Sequence, residues 1–154
     1  MIALKNILVV TDFSAASDAA LAEARRLATA FGSTLHLLHV VAEPLSDAWT
    51  GYAPAPQFLE IMDNLEDEAR QRLGAMIPAT AIEGGVVAIT VRGDASYEIL
   101  RYAAEQHVDL IVCGTNGRSG WEHVMMGSVA ERLVRLAVCP VLTVHAAHVQ
   151  AAAA

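Results

Sequence analysis

Basic residues are scarce in this chain of 154 residues. Ten Lys and Arg residues stand against 17 Asp and Glu residues, which leaves a formal net charge of -7. The sequence contains no basic stripe or run, so a nucleic-acid-binding surface is disfavoured. An anionic ligand would therefore have to be held by local groups rather than by a broad positive field.

Long apolar runs and a cysteine framework are also missing. No apolar segment reaches the roughly 18 residues of a membrane span, and the first five residues lead into a strand rather than a signal peptide. We therefore expect a soluble cytoplasmic protein with no membrane partner. Cys113 and Cys139 show neither metal-ligand spacing nor a disulfide pattern, so we predict that both are core thiols.

Hydrophobic residues, in contrast, are plentiful. They make up 55% of the chain, and the mean hydropathy is +0.41, which suffices for a sizeable core. We expect one domain over residues 1–147. Residues 148–154, which end in four alanines, are expected to be a frayed tail or a remnant of cloning.

Apolar runs of strand length alternate with helical patterns along the chain. Strands are predicted at 6–11, 34–41, 85–91, 109–114 and 140–144. Helices are predicted after Ser14 as N-cap, along an apolar stripe that ends before Pro78, and after Asp94 as N-cap. A fourth helix is predicted from Ser128, which would form a capping box with Glu131.

The helical stripes predict which side chains are buried. In the first helix the stripe comprises Ala20, Ala24, Leu27 and Phe31, before Gly32 ends the helix. In the second helix it comprises Phe58, Met62, Leu65, Ala69, Leu73 and Met76.

The chain reads GTNGRSGWEHVMMGS directly after the fourth strand, which places glycines at 114, 117 and 127 and a serine at 128. The spacing is G-x2-G-x9-G-[ST]. Glycines let backbone N–H groups turn inward, and the following helix N-terminus attracts an anion, so this segment is predicted to cradle phosphate. The alternative is a tight connection whose glycines serve the backbone conformation alone.

The alternation of strands and helices predicts a mostly parallel sheet with helices on both faces. Such sheets bind ligands beyond the carboxyl ends of the strands, where the strand order reverses. Polar residues follow the first strand at Thr11 and Asp12. If the first and fourth strands are neighbours, the Asp12 carboxylate faces the glycine loop and is available to ribose hydroxyls or to Mg²⁺. Asp12 could instead bond its own turn.

Four segments carry a family resemblance: VVTDFS at 9–14, GTNGRSG at 114–120, GSVAERL at 127–133 and CPVLTV at 139–144. Together they resemble the universal stress protein family over nearly the whole chain, and the glycine spacing resembles its ATP-binding branch. The resemblance implies a three-layer, doubly wound α/β fold of the adenine nucleotide alpha hydrolase-like type. Its five parallel strands would have the order 3-2-1-4-5.

The resemblance also implies a binding site. Asp12 would meet the ribose, the backbone at Val40 and Val41 would border adenine, and the glycine loop would surround the ribose and phosphates. The complete candidate set is Thr11, Asp12, Phe13, Val40, Val41, Gly114, Thr115, Gly117, Arg118, Gly127, Ser128 and Val129. The last strand, Val141–Val144, would pair with its twin in a homodimer.

The function that these features favour is nucleotide-dependent regulation in a stress response, with ATP as the ligand and an unidentified protein as partner. A P-loop would place lysine after its last glycine, whereas here Gly127 is followed by Ser128 and Val129. We therefore predict a nucleotide binder rather than an efficient enzyme. Three alternatives stay open: a weak Mg²⁺-dependent ATPase, a nucleotide-free interaction protein, and a site for AMP or a cyclic nucleotide.

Two histidines in the second strand deserve a separate interpretation. His36 and His39 lie three positions apart, so they face opposite sides of a strand and cannot form a simple metal pair. Structural roles are expected for both.

Overall fold

Helices and strands alternate throughout the computed structural model, which describes residues 4–43, 56–77, 82–115 and 126–146. The elements in chain order are β1 (Asn6–Val10), α1 (Ala15–Phe31), β2 (Thr34–Ala42), α2 (Pro56–Met76), β3 (Val86–Gly93), α3 (Ala95–Glu105), β4 (Leu110–Gly114), α4 (Ser128–Leu136) and β5 (Val141–Val144). The α/β class is thus confirmed.

The five strands form one parallel sheet in the order β3-β2-β1-β4-β5, as predicted. In the central strand, Leu8 is aligned with His36 of β2 on one side and with Ile111 of β4 on the other. The order reverses between β1 and β4, so the carboxyl ends of these two strands are neighbours. The tail at 148–154 lies outside the described residues.

Helices cover both faces of the sheet. On one face α1 and α2 pack over Ile7, Val9 and Leu37, and on the other α3 and α4 pack over Leu8 and Ile111. Because α1 presents small, fully buried alanines to the sheet, including Ala20, Ala24 and Ala28, it approaches the strands closely. None of the helices within the described ranges is long and apolar enough to span a membrane. The cytoplasmic location stays a prediction.

Three of the helix caps predicted from the sequence are confirmed, and one is wrong. Ser14 caps α1 and Asp94 caps α3, each accepting from the backbone N–H three residues ahead, and Gly32 ends α1 at φ 65°. The capping box at Ser128 is wrong. Gly127 is the N-cap of α4, with extended backbone at ψ 149°, and Ser128 is already the first helical residue, so no side chain caps this end.

Two side chains of the predicted apolar stripes are exposed. Leu65 of α2 is 45% exposed and Phe31 at the end of α1 is 54% exposed, whereas Met62 and Leu73 are buried. At about 100° per residue, Leu65 is rotated by about 60° from Met62 and so lies at the border of the buried face. The apolar stripe of α2 is therefore wider than the surface that packs on the sheet.

Candidate functional site

The turn between β1 and α1 is organised by two hydroxyl groups. Thr11 Oγ1 accepts from the Phe13 N–H at 3.0 Å and lies 3.0 Å from Ser17 Oγ, which donates to the Ser14 carbonyl at 2.8 Å. Because the single Ser17 hydrogen is used there, Thr11 donates to Ser17. The strand β1 ends at Val10 rather than at the predicted Thr11, whose side chain takes part in this turn.

Asp12 occupies the middle of this turn and lines the pocket described below. Its Oδ1 accepts from the Ser14 N–H at 3.0 Å, which forms a local turn of the kind that aspartates commonly make. The local turn bond is therefore present and the residue also borders the pocket, whereas its contact with ribose or Mg²⁺ stays a prediction.

The end of β4 comes unusually close to the start of α1. A Cβ atom on Gly114 would lie 2.8 Å from the carbonyl carbon and 2.9 Å from the carbonyl oxygen of Ala16, far inside normal contact distance. Glycine is needed here for a close approach of two backbones. This approach brings the β1–α1 turn beside the end of β4.

The segment between β4 and α4 is tied at its base. The Thr115 N–H donates to the Val144 carbonyl of β5 at 2.9 Å, and the Thr115 carbonyl accepts from the Gly127 N–H at 2.7 Å. Residues 116–125 between them lie outside the described residues. The two backbone bonds set the position of Gly127, and with it the start of α4, relative to the sheet.

The first turn of α4 supplies backbone donors. The first helical hydrogen bond runs from the Glu131 N–H to the Gly127 carbonyl, so the N–H groups of residues 128–130 precede the helical ladder. The positive end of the helix dipole lies at the same place. Because the N-cap is a glycine, the cap residue itself has no side chain that could compete for these donors.

A pocket of about 190 Å³ opens between the β1–α1 turn and the first turn of α4. Its polar lining residues, which we call the rim, are Thr11, Asp12, Ser17, Thr115 and Ser128. Its apolar lining residues, which we call the floor, are Val10, Leu38, Val40, Ala95, Ile99, Cys113, Val129 and Ala130. An apolar chamber with a few convergent polar groups is typical of a small-ligand site.

Residues 3–145 match the family model described as "Universal stress protein family". This chain belongs to the universal stress protein family. It is 34% identical to universal stress protein MJ0531 of Methanocaldococcus jannaschii, with 91% of this chain and 81% of that protein covered. It is also 34% identical to YxiE of Bacillus subtilis, with 90% and 97% covered. The domain limits of 1–147 stay a prediction.

Solved structures of the universal stress protein family share the fold. The structure of MJ0577 superposes with a TM-score of 0.80 at 28% identity and covers 94% of this chain and 97% of its own. Two more distant structures share the fold alone: a universal stress protein in complex with cAMP, at 23% identity and TM-score 0.63, and the Arabidopsis thaliana protein At3g01520 with AMP bound, at 18% and 0.53.

The fold places eight of the predicted site residues of this family member around one pocket. They are Thr11, Asp12, Val40, Gly114, Thr115, Gly127, Ser128 and Val129. Phe13 and Val41 are not among the lining residues, because both pack toward α2 instead. Gly117 and Arg118 lie outside the described residues, so their roles stay predictions.

Sequence reasoning missed seven of the lining residues: Val10, Ser17, Leu38, Ala95, Ile99, Cys113 and Ala130. Val10 and Leu38 alternate with residues that face α1 and α2, so a period of two along β1 and β2 marks them as facing the other side. No comparable signal identifies Ala95 and Ile99, because these side chains reach the pocket only through the packing of α3.

Cys113 borders the pocket as a buried thiol. Burial raises the pKa of the Cys113 thiol to about 11, so it stays protonated at neutral pH and is no activated nucleophile. Cys139 is half-buried and unpaired, and burial is the main cause that raises the pKa of its thiol. Cys113 is thus a core thiol as predicted, whereas Cys139 is only partly covered.

His36 and His39 face opposite sides of the sheet, as predicted. His36 Nδ1 lies 2.8 Å from the Tyr102 hydroxyl of α3, whereas His39 contacts Phe13 on the side of α2. The Nε2 atom of His36 is buried and finds no hydrogen-bond partner within the part of the chain that the structure describes. Burial lowers the pKa of His36 below its usual range, so the neutral ring is the folded form.

Acidification should therefore destabilise the protein through His36. The unfolded chain takes up a proton on this ring below about pH 6.5 while the folded one does not, so stability is retained above that pH and falls as the pH decreases toward the folded pKa. The slope from this group is at most about 1.4 kcal/mol per pH unit.

Urea unfolding at pH 7.5 and pH 5.5 measures this effect. His36→Leu should reduce the loss of stability between the two conditions. Equal pH dependence in the wild-type protein and His36→Leu would contradict the assignment.

Proposed function

We propose that this universal stress protein binds an adenine nucleotide, with ATP as the leading candidate, and uses it as a regulatory ligand. The observation that carries the proposal is the N-terminus of α4, whose N-cap is a glycine and which opens onto an apolar pocket beside Asp12. Backbone N–H groups of residues 128–130 match phosphate, the apolar walls match a planar base, and the carboxylate matches ribose hydroxyls.

In this proposal each part of the nucleotide has its own place in the pocket. Phosphates lie against the first turn of α4, where the dipole favours negative charge although the whole chain has a net charge of -7. The base occupies the chamber near Leu38 and Ile99. Proteins with this fold that were solved with cAMP and AMP support the same class of ligand, and they keep AMP and cyclic nucleotides as alternatives to ATP.

A magnesium ion would arrive with the phosphates of ATP. Asp12 is the one carboxylate among the described lining residues, and no group of three potential metal-ligating side chains occurs in the ranges that the structure describes. One carboxylate suits Mg²⁺, which keeps most of its shell for phosphate oxygens and water. The ion would neutralise phosphate charge near Asp12.

The direct test is to denature freshly purified protein and identify any released nucleotide by mass spectrometry. ATP with Mg²⁺, AMP and cAMP are then titrated into the emptied protein by calorimetry. We expect co-purified adenine nucleotide or saturable binding, with ATP the tightest of the three. Absence of both would reject the proposal and leave an interaction protein that acts through its surface.

We also propose that β5 pairs with its twin in a homodimer. The strand lies at the edge of the sheet, and Val134, Leu136 and Val138 beside it are exposed, with Val138 at 84%. An apolar edge strand exposes unpaired backbone groups unless something covers it. A two-fold arrangement would cover it with the same strand in antiparallel orientation.

Replacing Thr143 with proline should yield a monomer. The Pro140 and Val144 carbonyls accept hydrogen bonds from β4 and its end, so the backbone groups of residues 141 and 143 point to the outer edge. Proline at 143 removes an outward N–H and leaves the bonds to β4 in place. Light scattering at micromolar concentration should show a dimer for the wild-type protein and for Thr143→Val, which keeps the N–H. A dimeric Thr143→Pro would exclude this interface.

A further inference from the structure

Three side chains from three elements meet beneath the β1–α1 turn. The His39 ring of β2 lies 4.3 Å from the Phe13 ring, measured between centroids, with the planes inclined by 35°. The Arg72 guanidinium carbon of α2 lies 4.0 Å from the Phe13 centroid. We call these residues the turn-support stack. It lies on the α2 side, whereas the pocket floor lies on the α3 side.

His39 also contacts the backbone of the turn. Its Nδ1 lies 2.8 Å from the Thr11 carbonyl oxygen. A carbonyl only accepts hydrogen bonds, so Nδ1 carries the hydrogen and donates it. The Thr11 N–H in turn donates to the Leu38 carbonyl at 3.0 Å. Adjacent residues of β2 therefore hold both backbone polar groups of Thr11.

On the other side of Asp12 the chain adopts an uncommon conformation. Phe13 has φ 64°, in the left-handed region that a bulky residue rarely occupies. Such a conformation persists where the surroundings impose it, and here His39 and Arg72 both contact the ring. The helix that bears Arg72 is itself attached to β3, because Arg92 donates to Asp63 at 2.6 Å and to Glu66 at 2.5 Å.

Asp12 thus lies between two residues that the same histidine contacts. Thr11 is held at its carbonyl and Phe13 at its ring, while Asp12 borders the pocket. We propose that His39 is a positioning residue, which acts through Thr11 and Phe13 to direct the Asp12 carboxylate toward the ribose of the bound nucleotide. This inference rests on the proposed function and deepens it. His39 does not line the pocket, so its effect on the nucleotide is indirect.

Two substitutions separate the two contacts of His39. His39→Asn places an amide near the position of Nδ1 and can keep the donor while it removes the ring. His39→Phe keeps a ring against Phe13 and removes the donor. Thr90→Val is the matched control: Thr90 is the β3 residue aligned with His39, and its buried hydroxyl has no hydrogen-bond partner in the described ranges.

The readout is the ratio of dissociation constants for 2′,3′-dideoxyATP and ATP, measured by calorimetry with Mg²⁺. This ratio reports ribose hydroxyl recognition and does not depend on the folded fraction, so partial unfolding of a variant does not obscure it. We expect the wild-type protein and Thr90→Val to favour ATP by roughly tenfold or more, the range for hydrogen bonds to a charged acceptor. In His39→Phe the ratio should fall toward one, chiefly through weaker ATP binding. His39→Asn should recover part of it.

The outcomes separate the two proposals. If the wild-type protein binds neither nucleotide, the proposed function and this inference both fail. If it prefers ATP and His39→Phe keeps the full preference, nucleotide binding stands and the positioning role is overturned. A wild-type protein that binds both nucleotides equally also overturns the role, since no ribose contact would then exist. Nitrogen NMR should further show a hydrogen on Nδ1 of His39, and a neutral ring with its hydrogen on Nε2 alone would contradict the contact with Thr11.

Discussion

Replacing Gly114 with alanine should destabilise the protein and weaken nucleotide binding together. The new Cβ would lie 2.8 Å from the Ala16 carbonyl carbon, which is helix backbone and cannot rotate away. Overpacking of this kind costs about 1–3 kcal/mol. Because the displaced first turn of α1 follows directly on Asp12, we expect nucleotide affinity to fall by at least tenfold.

Two other glycines make this a controlled series. A Cβ on Gly84 would lie 2.5 Å from the Thr34 nitrogen and still closer to the Ser33 carbonyl. This contact is at the amino ends of β2 and β3, whereas the pocket lies at the carboxyl ends of the strands. Gly84→Ala should therefore destabilise the fold at least as much while the folded protein still binds nucleotide. Gly74 in α2 has open space around its Cβ position, so Gly74→Ala should stabilise by about 0.5–1 kcal/mol.

Urea unfolding and ATP titration of the three variants check these expectations. A Gly114→Ala protein as stable as the wild type would mean that the close approach of β4 and α1 is not required. A destabilised Gly114→Ala protein that binds ATP normally would show that the glycine supports the fold and is not needed for nucleotide binding.

Replacing Ser128 with aspartate should abolish phosphate binding without harming the fold. The side chain would sit at the first residue of α4, where a carboxylate interacts favourably with the helix dipole by about 0.3–1 kcal/mol. The same carboxylate would repel the phosphates: two like charges about 4 Å apart near a protein surface cost about 4 kcal/mol. ATP affinity should fall at least about 100-fold, while thermal stability stays equal or rises.

Ser128→Ala distinguishes the backbone from the hydroxyl as the source of phosphate affinity. Alanine keeps the N–H groups of residues 128–130 and removes one neutral hydroxyl, whose net contribution is about 0.5–1.5 kcal/mol. We expect a loss of less than about tenfold, measured by the same ATP titration. An equal loss in both variants would assign the phosphate contact to the hydroxyl, and ATP binding by Ser128→Asp at wild-type affinity would exclude α4 as the phosphate site.

Most of the architecture could be predicted, because its signals are local. Ser14 and Asp94 cap helices through bonds to residues three positions ahead, and such short-range bonds follow from residue type and spacing. The prediction of a capping box at Ser128 was wrong because it used the same short-range signals alone. A serine followed three residues later by glutamate predicts an N-cap at Ser128. In the structure the Gly127 N–H is bonded to the Thr115 carbonyl, Gly127 is the N-cap, and α4 begins at Ser128, one residue earlier than predicted.

Most of the polar lining residues of the pocket were predicted, and most of the apolar ones were missed. The polar residues at the ends of β1 and β4 are recognisable because parallel strands end at a common edge. Ala95 and Ile99 of α3 join Leu38 of β2 only because the helix packs across the sheet, at a separation of more than fifty residues along the chain. Phe13 is absent from the pocket lining for a similar reason, since its ring packs against His39 and Arg72, and its predicted contact with the nucleotide stays a prediction.

The sequence by itself determined the alternation of strands and helices, the strand order through its family resemblance, and the glycine and aspartate positions that border the pocket. The tertiary structure decided what those residues touch. It shows that Gly114 is required by the backbone of Ala16, that Leu65 lies at the border of the buried face of α2, and that Asp12 sits between two residues contacted by His39. The physical reason is range: caps and periodicities act within a few residues, whereas close approach, exposure and side-chain direction depend on how separate elements pack.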